Sequence, residues 1–325
     1  MKFLIIGLGS MGKRRIRNLK KIGQNKITGF DVRKDRRDEA RRKYQIETYE
    51  DVEEAINQKP NLIIISTPPD LHLKYVKIAI KNKIPFFTEL NLISKDVKKI
   101  ITQLQKSKVK GFPSCTFFFH PVVIKLKQLV EKNAIGKVIL ISHHTGQYLP
   151  NWHPWEDYRK IFLSKKETGG AKEILAIDSI WLSNIFGKIK KIKGVTGKLS
   201  KLQVDIDDFY STQIIFEKKI FCNLLIDVMA IPSIKETKII GEKGTIYCNF
   251  KNGKIIILND SKTKIIKNKI GNTAKGYKGI TSSEKVYELE IKHVIKSLQN
   301  KEKFLFSFKQ EFEILKNLES IKNRY

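Results

Sequence analysis

Residues 2–12 read Lys2-Phe3-Leu4-Ile5-Ile6-Gly7-Leu8-Gly9-Ser10-Met11-Gly12. A short apolar run ends in glycines spaced G-x-G-x-x-G. A helical pattern follows, with Ile16 and Leu19 at helical spacing and Gly23 as its stop. A strand that turns into a helix through such glycines leaves backbone amides at the helix N-terminus, where an anion is favoured. Gly7 permits the tight turn, Gly9 lets the backbone approach a pyrophosphate, and Gly12 lets helix and strand pack closely. Ile27-Thr28-Gly29-Phe30-Asp31 reads as the next strand, and Asp31 lies 19 residues beyond Gly12. A carboxylate there accepts hydrogen bonds from an adenosine ribose and repels a 2′-phosphate. The stretch predicts a dinucleotide site formed by Gly7, Gly9, Ser10, Met11, Gly12 and Asp31, with NAD favoured over NADP. Arg33 directly follows the acid region, and residues 33–43 hold seven basic side chains. They either stack on adenine and reach a 2′-phosphate, which keeps NADP open, or form a solvated helix face.

The alternation continues outward. Residues 35–43 and 50–58 read as helices, and residues 61–66 form an apolar run between Pro60 and Pro68 that suits a buried parallel strand. A helix over 71–83, a strand over 85–88, a helix over 94–107 and a strand over 110–115 complete the pattern. Strands alternating with helices in this way predict a doubly wound parallel sheet, bounded at residues 1–119. The remainder, residues 120–325, reads as strands over 138–148, 189–199, 208–217, 220–230 and 234–250, a helix over 170–186, and closing helices over 284–298 and 308–322. Glu217-Lys218-Lys219 looks like a hairpin turn, and neither a linker nor an internal repeat is evident.

Composition narrows the function classes. The 325 residues are 41% hydrophobic and carry a formal net charge of +30, which invites a nucleic-acid reading. Only ten of the 63 basic residues are arginine, however, and the lysines run through every segment. Arginine is the better group for bidentate phosphate and base recognition, so the excess argues for a compositional bias and against nucleic acid as a partner. No apolar run approaches the roughly 20 residues of a membrane span, and the basic residues follow the first apolar stretch where a signal peptide would place them before it. Cys115, Cys222 and Cys248 are too few and too scattered for a disulfide framework or a zinc site. A cytoplasmic protein without a metal is expected.

With these motifs in view, the sequence resembles the Gfo/Idh/MocA family of NAD(P)-dependent oxidoreductases. The resemblance rests on Gly7-Leu8-Gly9-Ser10-Met11-Gly12, on Ser66-Thr67-Pro68-Pro69-Asp70-Leu71-His72, on Thr88-Glu89, on His120-Pro121, on Gly169-Gly170 and on Gly241-Glu242-Lys243-Gly244-Thr245. It implies an N-terminal Rossmann domain and a C-terminal α+β domain with a large, mostly antiparallel open sheet that often joins protomers into a homo-oligomer. It also implies cofactor contacts from Ser66, Thr67, Pro68, Leu71, His72, Glu89 and Asn91. The family's Glu-Lys-Pro is replaced here by Glu89-Leu90-Asn91, and its aspartate and histidine on the helix after Gly-Gly fall near Glu173 and Asp178. Leucine cannot move a proton, so the proton-transfer group must be sought elsewhere. Asp178 is the odd polar residue among Leu175, Ile177, Ile180 and Trp181, and burial that raised its pKa would make it a base. Glu173 is a second candidate, although a carboxylate in a first helical turn is also favoured by the dipole. His153 is the third.

His153 belongs to the run Gly146-Gln147-Tyr148-Leu149-Pro150-Asn151-Trp152-His153-Pro154-Trp155-Glu156-Asp157-Tyr158-Arg159. Aromatic faces stack on sugar rings, while carboxylate and guanidinium groups give directional hydrogen bonds to hydroxyls or phosphate. Tyr148, Trp152, Trp155, Asp157, Tyr158 and Arg159, with His120, are therefore the expected substrate contacts; the alternative is a cluster that only pins the loop. In one branch of the family this run resembles proteins of bacterial surface-sugar pathways. The expectation is an NAD-dependent oxidoreductase acting on a sugar or sugar nucleotide in surface-glycan biosynthesis. The alternative is a sensor or partner protein that holds NAD and a sugar without turnover.

Overall fold

Phe3, Leu4, Ile5 and Ile6 form β1 (Phe3–Ile6), and all four side chains are fully buried in the computed structural model. A strand covered on both faces has no polar side, which is why the run does not alternate. The structure describes residues 1–154, 156–260, 262–271, 283–321 and 323–324. After β1 come α1 (Ser10–Lys21), β2 (Ile27–Phe30), α2 (Lys34–Tyr44), β3 (Glu47–Tyr49), α3 (Val52–Asn57), β4 (Leu62–Ile65), α4 (His72–Lys81), β5 (Phe86–Thr88), α5 (Ser94–Gln105) and β6 (Gly111–Pro113). The six strands are parallel in the order β3-β2-β1-β4-β5-β6. The order reverses between β1 and β4, and ligands of such sheets bind outside the C-terminal strand ends at that reversal. β3 was not expected: three residues with one apolar side chain are too short to show a period.

The second sheet is built differently. It follows α6 (Pro121–Glu131) and comprises β7 (Val138–Gly146) and, after α7 (Ala171–Phe186), β8 (Ile189–Gly197), β9 (Phe209–Phe216), β10 (Phe221–Asp227), β11 (Ile234–Gly241), β12 (Gly244–Asn249), β13 (Lys254–Asn259) and β14 (Lys262–Lys267). With β15 (Asn323–Arg324) it has nine strands in the order β14-β13-β12-β11-β7-β10-β9-β8-β15. All pairs are antiparallel except β7 with β10 and β8 with β15. Buried and exposed residues alternate along β9 and β10, as in a sheet covered on one face, and α7 lies on that face. The stretch expected as one strand over 234–250 is two, β11 and β12, joined by a turn at Glu242-Lys243. β13 and β14 were not expected. Lys262, Lys264 and Lys267 place charge along the edge strand β14, which protects an open ladder.

The chain forms two units, Met1–Thr116 with Glu284–Phe312, and Phe117–Ser283 with Glu313–Tyr325. The expected division at 119/120 is therefore amended, because α8 (Glu284–Leu298) belongs to the first unit. Its Ile291, Val294 and Ile295 sit in one core with Phe3, Ile5, Ile16, Leu19 and Phe112. An amphipathic helix carries no sequence mark of which sheet it will cover. Among the described residues no helix is long and apolar enough to cross a membrane.

The helix α9 (Phe308–Leu318) brings Glu311 into the first unit, fully buried, where it accepts hydrogen bonds from the Asn91 backbone N–H (3.2 Å) and side-chain amide (3.0 Å). Burial pushes its carboxyl up to about 8, against the pull of those bonds from Asn91. A carboxyl whose folded pKa lies above its unfolded value stabilises the fold fully below the unfolded pKa and loses that contribution as pH rises through the folded one. Thermal unfolding should therefore show stability falling from pH 5 toward pH 9, and Glu311→Gln should flatten that slope. An unchanged slope in the variant would refute the assignment.

Candidate active site

The glycine loop between β1 and α1 has the shape of an anion cradle. Gly7 is left-handed at φ +92°, a conformation that favours glycine. A Cβ on Gly12 would stand 1.8 Å from the Gly7 carbonyl oxygen, so helix and loop meet there without room for a side chain. At Gly9 the nearest heavy atom to an added Cβ is Arg36 Nη1 at 3.4 Å, the end of a flexible side chain, so the face of the loop over Gly9 is open. Gly9 is also the N-cap of α1 and offers no side-chain oxygen to its first turn. Asp31 is buried at the end of β2. Its Oδ2 accepts the Leu8 N–H at 2.7 Å and its Oδ1 accepts the Arg33 N–H at 2.9 Å. The acid thus anchors the loop itself, in addition to any bond its remaining lone pairs give a ribose.

At the C-terminal end of β4, Ser66 and Thr67 border the same loop: a Cβ on Gly7 would meet the Ser66 carbonyl oxygen at 2.8 Å. Thr67 Oγ1 is buried and has no hydrogen-bond partner, an orphaned polar atom that a ligand would satisfy. Pro68 and Leu71 follow on the turn before α4, and Leu71 is exposed. His72, Glu89 and Asn91 stand behind this edge and are already engaged. His72 lies 2.9 Å from both the Thr67 carbonyl and Asn91 Oδ1, and burial holds its pKa below the usual range. Asn91 donates to Thr88 and Glu311. Glu89 takes a bidentate pair from the buried Arg15, at 2.6 and 2.8 Å, and a hydrogen bond from Ser66 Oγ. These three hold the loop after β5 in place, with His72 and Asn91 buried and Glu89 partly exposed. Arg33 extends its guanidinium to Asp35.

In the second unit, Asp178 on α7 is fully buried and accepts four hydrogen bonds. Trp181 Nε1 (2.8 Å) and the Lys235 ammonium donate to Oδ1; Thr145 Oγ1 (2.6 Å) and His143 Nε2 (3.0 Å) donate to Oδ2. Thr237 Oγ1 meets His143 Nδ1 at 2.7 Å, and Lys235 also donates to Thr145 Oγ1 at 3.1 Å. Burial pushes the Asp178 carboxyl up, but Lys235 and His143 together pull it well below the ordinary range. Asp178 is therefore a fixed anion, and the expectation that burial raises its pKa to make it a base is overturned. Burial lowers the pKa of Lys235 and of His143, an effect that Asp178 partly offsets at both.

Lys235 was not expected beside Asp178, and His143, read from the sequence as structural, joins it there. A signal existed: period-2 alternation places Lys235 and Thr237 in phase with buried Ile239, and His143 in phase with buried Ile141. Neither Glu173 nor His153 contributes to the bonds around Asp178. Glu173 sits in the first turn of α7, and five residues along an ideal helix turn it about 140° from Asp178. His153 pairs with Glu156 at 3.3 Å. His120 caps α6, accepting the Val122 N–H at 3.3 Å, and stacks on Phe117; burial and then Lys235 push its pKa down to about 3.

The loop after β7 is pinned at its start by the Gln147 and Leu149 N–H groups, which donate to the Asp227 and Val228 carbonyls. Tyr148 precedes a short 3-10 turn, and Trp152 Nε1 is buried without an acceptor. Asp157 and Arg159 pair bidentately, with Arg159 drawing the carboxyl down to about 2. Arg159 also donates to Gln203 Oε1, whose backbone N–H donates to Tyr158 Oη. The second half of the run thus fastens the loop to Gln203. Trp155 lies outside the described residues. Among the described residues no group of three or more His, Cys, Asp or Glu is placed to hold a metal ion.

Comparison with known proteins now bears on this geometry. Residues 1–112 match the profile of an oxidoreductase family with an NAD-binding Rossmann fold, and residues 123–247 match the GFO/IDH/MocA C-terminal domain. The chain belongs to the Gfo/Idh/MocA family. The first unit of this Gfo/Idh/MocA protein is accordingly an NAD-binding Rossmann domain, and its cradle, orphaned Thr67 hydroxyl and anchored acid fit that cofactor. Solved structures share the fold over the whole chain. An oxidoreductase from Agrobacterium radiobacter in complex with NAD+, L-tartaric acid and magnesium is 13% identical with a TM-score of 0.86, covering 99% of this chain and 95% of that one. A levoglucosan dehydrogenase in complex with NADH and levoglucosan is 15% identical with a TM-score of 0.82, covering 99% and 96%. The WlbA dehydrogenase from Bordetella pertussis in complex with NADH and UDP-GlcNAcA is 13% identical with a TM-score of 0.79, covering 99% and 95%. None of the curated proteins matches the sequence significantly.

Two expectations follow for variants. Gly9→Ala should fold with an unchanged Tm, because only Arg36 must yield, while its NAD Kd rises at least about tenfold, some 1.4 kcal/mol. Titration by NADH fluorescence and a melting curve check both halves, and wild-type affinity in Gly9→Ala would remove the cradle from the site. Asp178→Asn leaves the Lys235 ammonium buried without its counter-charge and should destabilise the protein by about 3–5 kcal/mol in denaturant unfolding. The loss should shrink at high pH, where Lys235 becomes neutral.

Proposed function

We propose that this protein transfers hydride between a nicotinamide cofactor and a sugar or sugar nucleotide, in bacterial surface-glycan biosynthesis. The observation that carries the reading is the open glycine cradle at the strand reversal, flanked by the orphaned Thr67 hydroxyl, in a chain of an oxidoreductase family. Gly7, Gly9, Ser10, Met11 and Gly12 would hold the pyrophosphate and Asp31 the ribose, with Ser66, Thr67, Pro68 and Leu71 toward the nicotinamide half. When bound, the nicotinamide accepts or returns hydride. The sugar assignment is supported by the loop after β7, where Trp152 presents an unsatisfied indole N–H, and by two structural neighbours that hold levoglucosan and UDP-GlcNAcA. Tyr148 and Trp152 are the substrate contacts this reading keeps foremost. Asp157, Tyr158 and Arg159 hold the loop's shape, and His120 orders the start of α6.

Two further features belong to the proposal. The open face of the nine-stranded sheet exposes Leu225 and Tyr247 beside His144, a surface suited to a second copy of the chain. All three cysteines are unpaired and buried, in keeping with work in a reducing cytoplasm. A second reading, binding of NAD and sugar without turnover, draws on the fixed charge of Asp178, which cannot serve as a base.

Reduced-nicotinamide absorbance separates the two. Purified protein with NAD or NADH is offered UDP-, GDP- and CMP-sugars and free N-acetylated sugars. Turnover of one member is the expected result. NAD binding with no absorbance change across the panel would overturn the redox reading in favour of the second.

A further inference from the structure

We propose that His72, Asn91 and Glu311 share one buried proton and position Thr67 at the cofactor site only while they hold it; this rests on the cofactor reading above. All four residues belong to the first unit. His72 opens α4 and is 1% exposed, with Nε2 at 2.9 Å from the Thr67 carbonyl oxygen and Nδ1 at 2.9 Å from Asn91 Oδ1. Both neighbours are acceptors, and a neutral imidazole carries only one N–H. The side-chain amide of Asn91 in turn meets both Glu311 oxygens, at 3.2 and 3.0 Å, and the Asn91 backbone N–H meets Glu311 Oε1 at 3.2 Å. In this orientation every link is a hydrogen bond only when His72 is doubly protonated and Glu311 is ionised.

A second arrangement satisfies the same atoms with the same number of protons. Turning the Asn91 amide over gives its nitrogen to His72 Nδ1 and its oxygen to Glu311. The ring is then neutral, with its proton on Nε2 toward Thr67. Glu311 is then the acid, donating from Oε2 and accepting the Asn91 backbone N–H at Oε1. Thr88 Oγ1, 3.0 Å from the amide, accepts in the first arrangement and donates in the second. The two differ by one amide turn and one proton moved from His72 to Glu311, and neither carries net charge. Burial decides between them: it lowers His72 and pushes Glu311 up to about 8, so the proton rests on Glu311.

Other ionisable groups bear on the chain from three sides. Glu89, after β5, and Asp70, on the turn before α4, favour a charged His72 ring, by less than burial opposes it. Glu89 keeps its bidentate pair with Arg15. The Cys115 thiol, after β6, feels the Glu311 charge, and burial holds it well above its usual range. Loss of the shared proton breaks one link. The ionised Glu311 draws the stronger hydrogen bonds, so the amide turns to it and Asn91 Oδ1 again faces His72. A neutral ring answers with its single proton on Nδ1, which leaves Nε2 bare against the Thr67 carbonyl. Thr67 borders the glycine loop: a Cβ on Gly7 would lie 3.0 Å from its backbone nitrogen, and its own Oγ1 is buried without a partner. Releasing its carbonyl loosens the edge assigned to the nicotinamide half. A buried proton equilibrates with water through local opening of the fold, so NAD affinity and this proton are linked.

The test titrates full-length protein with NADH, by fluorescence, from about pH 6 to about pH 9.5. The Kd should rise about three- to tenfold as pH passes through the Glu311 range, the loss of one hydrogen bond. Binding at the upper end of that range should take up protons, read by calorimetry in two buffers of different ionisation heat. Glu311→Gln fixes the neutral arrangement, because its amide donates and accepts where the acid does; its Kd should be flat with pH and its proton uptake gone. In NAD-free protein, nitrogen NMR of His72 should show the ring proton on Nε2 at low pH and on Nδ1 at high pH. A merely structural histidine would not make that move. A wild-type Kd that is flat with pH, or a Glu311→Gln Kd that still rises, would overturn the proposal and leave the cofactor reading intact. Absence of NADH binding at every pH would overturn both.

Discussion

A carboxylate taken out of water costs several kcal/mol unless donors and a counter-charge replace the water, and Asp178 pays that cost at the centre of the second unit. Its replacements come from three elements: Trp181 on its own helix, Thr145 and His143 on β7, and Lys235 on β11. One charge thereby fixes the rotation of α7 against the sheet, because no other turn of that apolar helix brings a carboxylate to these donors. His143 meets Trp181 and Phe250 edge to face, Trp181 and Phe250 are tilted against each other, and Asp178 is fully buried beside them. In such a low-dielectric setting each hydrogen bond to the carboxylate counts for more than it would in water.

The Rossmann unit meets the same physical problem with the opposite sign. Arg15 on α1 is fully buried between Glu89 and Glu290, and Glu290 accepts further bonds from Ser114, the Cys115 N–H and Thr116. The cofactor helix is held at its second turn by side chains that follow β5 and β6 and by α8. This explains why the chain returns to the first unit after leaving the second: without Glu290 the Arg15 guanidinium would lack one of its two carboxylates. It also commits both Glu89 oxygens to the arginine. A carboxylate committed to a bidentate arginine has little left to offer a ligand.

What could be read from the sequence follows from where period and punctuation are strong. The glycine loop, the parallel strands of the first unit and the helix after Gly169-Gly170 all have both, and Asp178 was conspicuous as an acid on an apolar helix. The register of β7 and β11 was not visible, because pairing between segments some 90 residues apart leaves no local trace. Lys235 therefore looked like one more lysine in a lysine-rich chain, and His143 like a filler histidine. The return of α8 was hidden for the same reason. The roles of Asp157 and Arg159 were blurred by their chemistry: the groups that would grip a sugar phosphate are the ones that grip each other.

The basic segment after β2 shows how such self-pairing also bears on the cofactor. Arg33 is held by Asp35, Lys34 and Arg41 by Asp38, Arg37 by Glu50, and Arg36 faces Asp31 at 3.6 Å. The exposed pairs among them, those of Arg33, Lys34 and Arg41, add little stability, but all of them cancel charge. A 2′-phosphate arriving at the end of β2 would meet the buried Asp31 carboxylate, which cannot swing away without releasing the Leu8 and Arg33 amides. To bind it, the protein would have to free an arginine from an acid and unmake part of its own glycine loop. A ribose hydroxyl asks for neither, and the balance of charge at this position favours NAD.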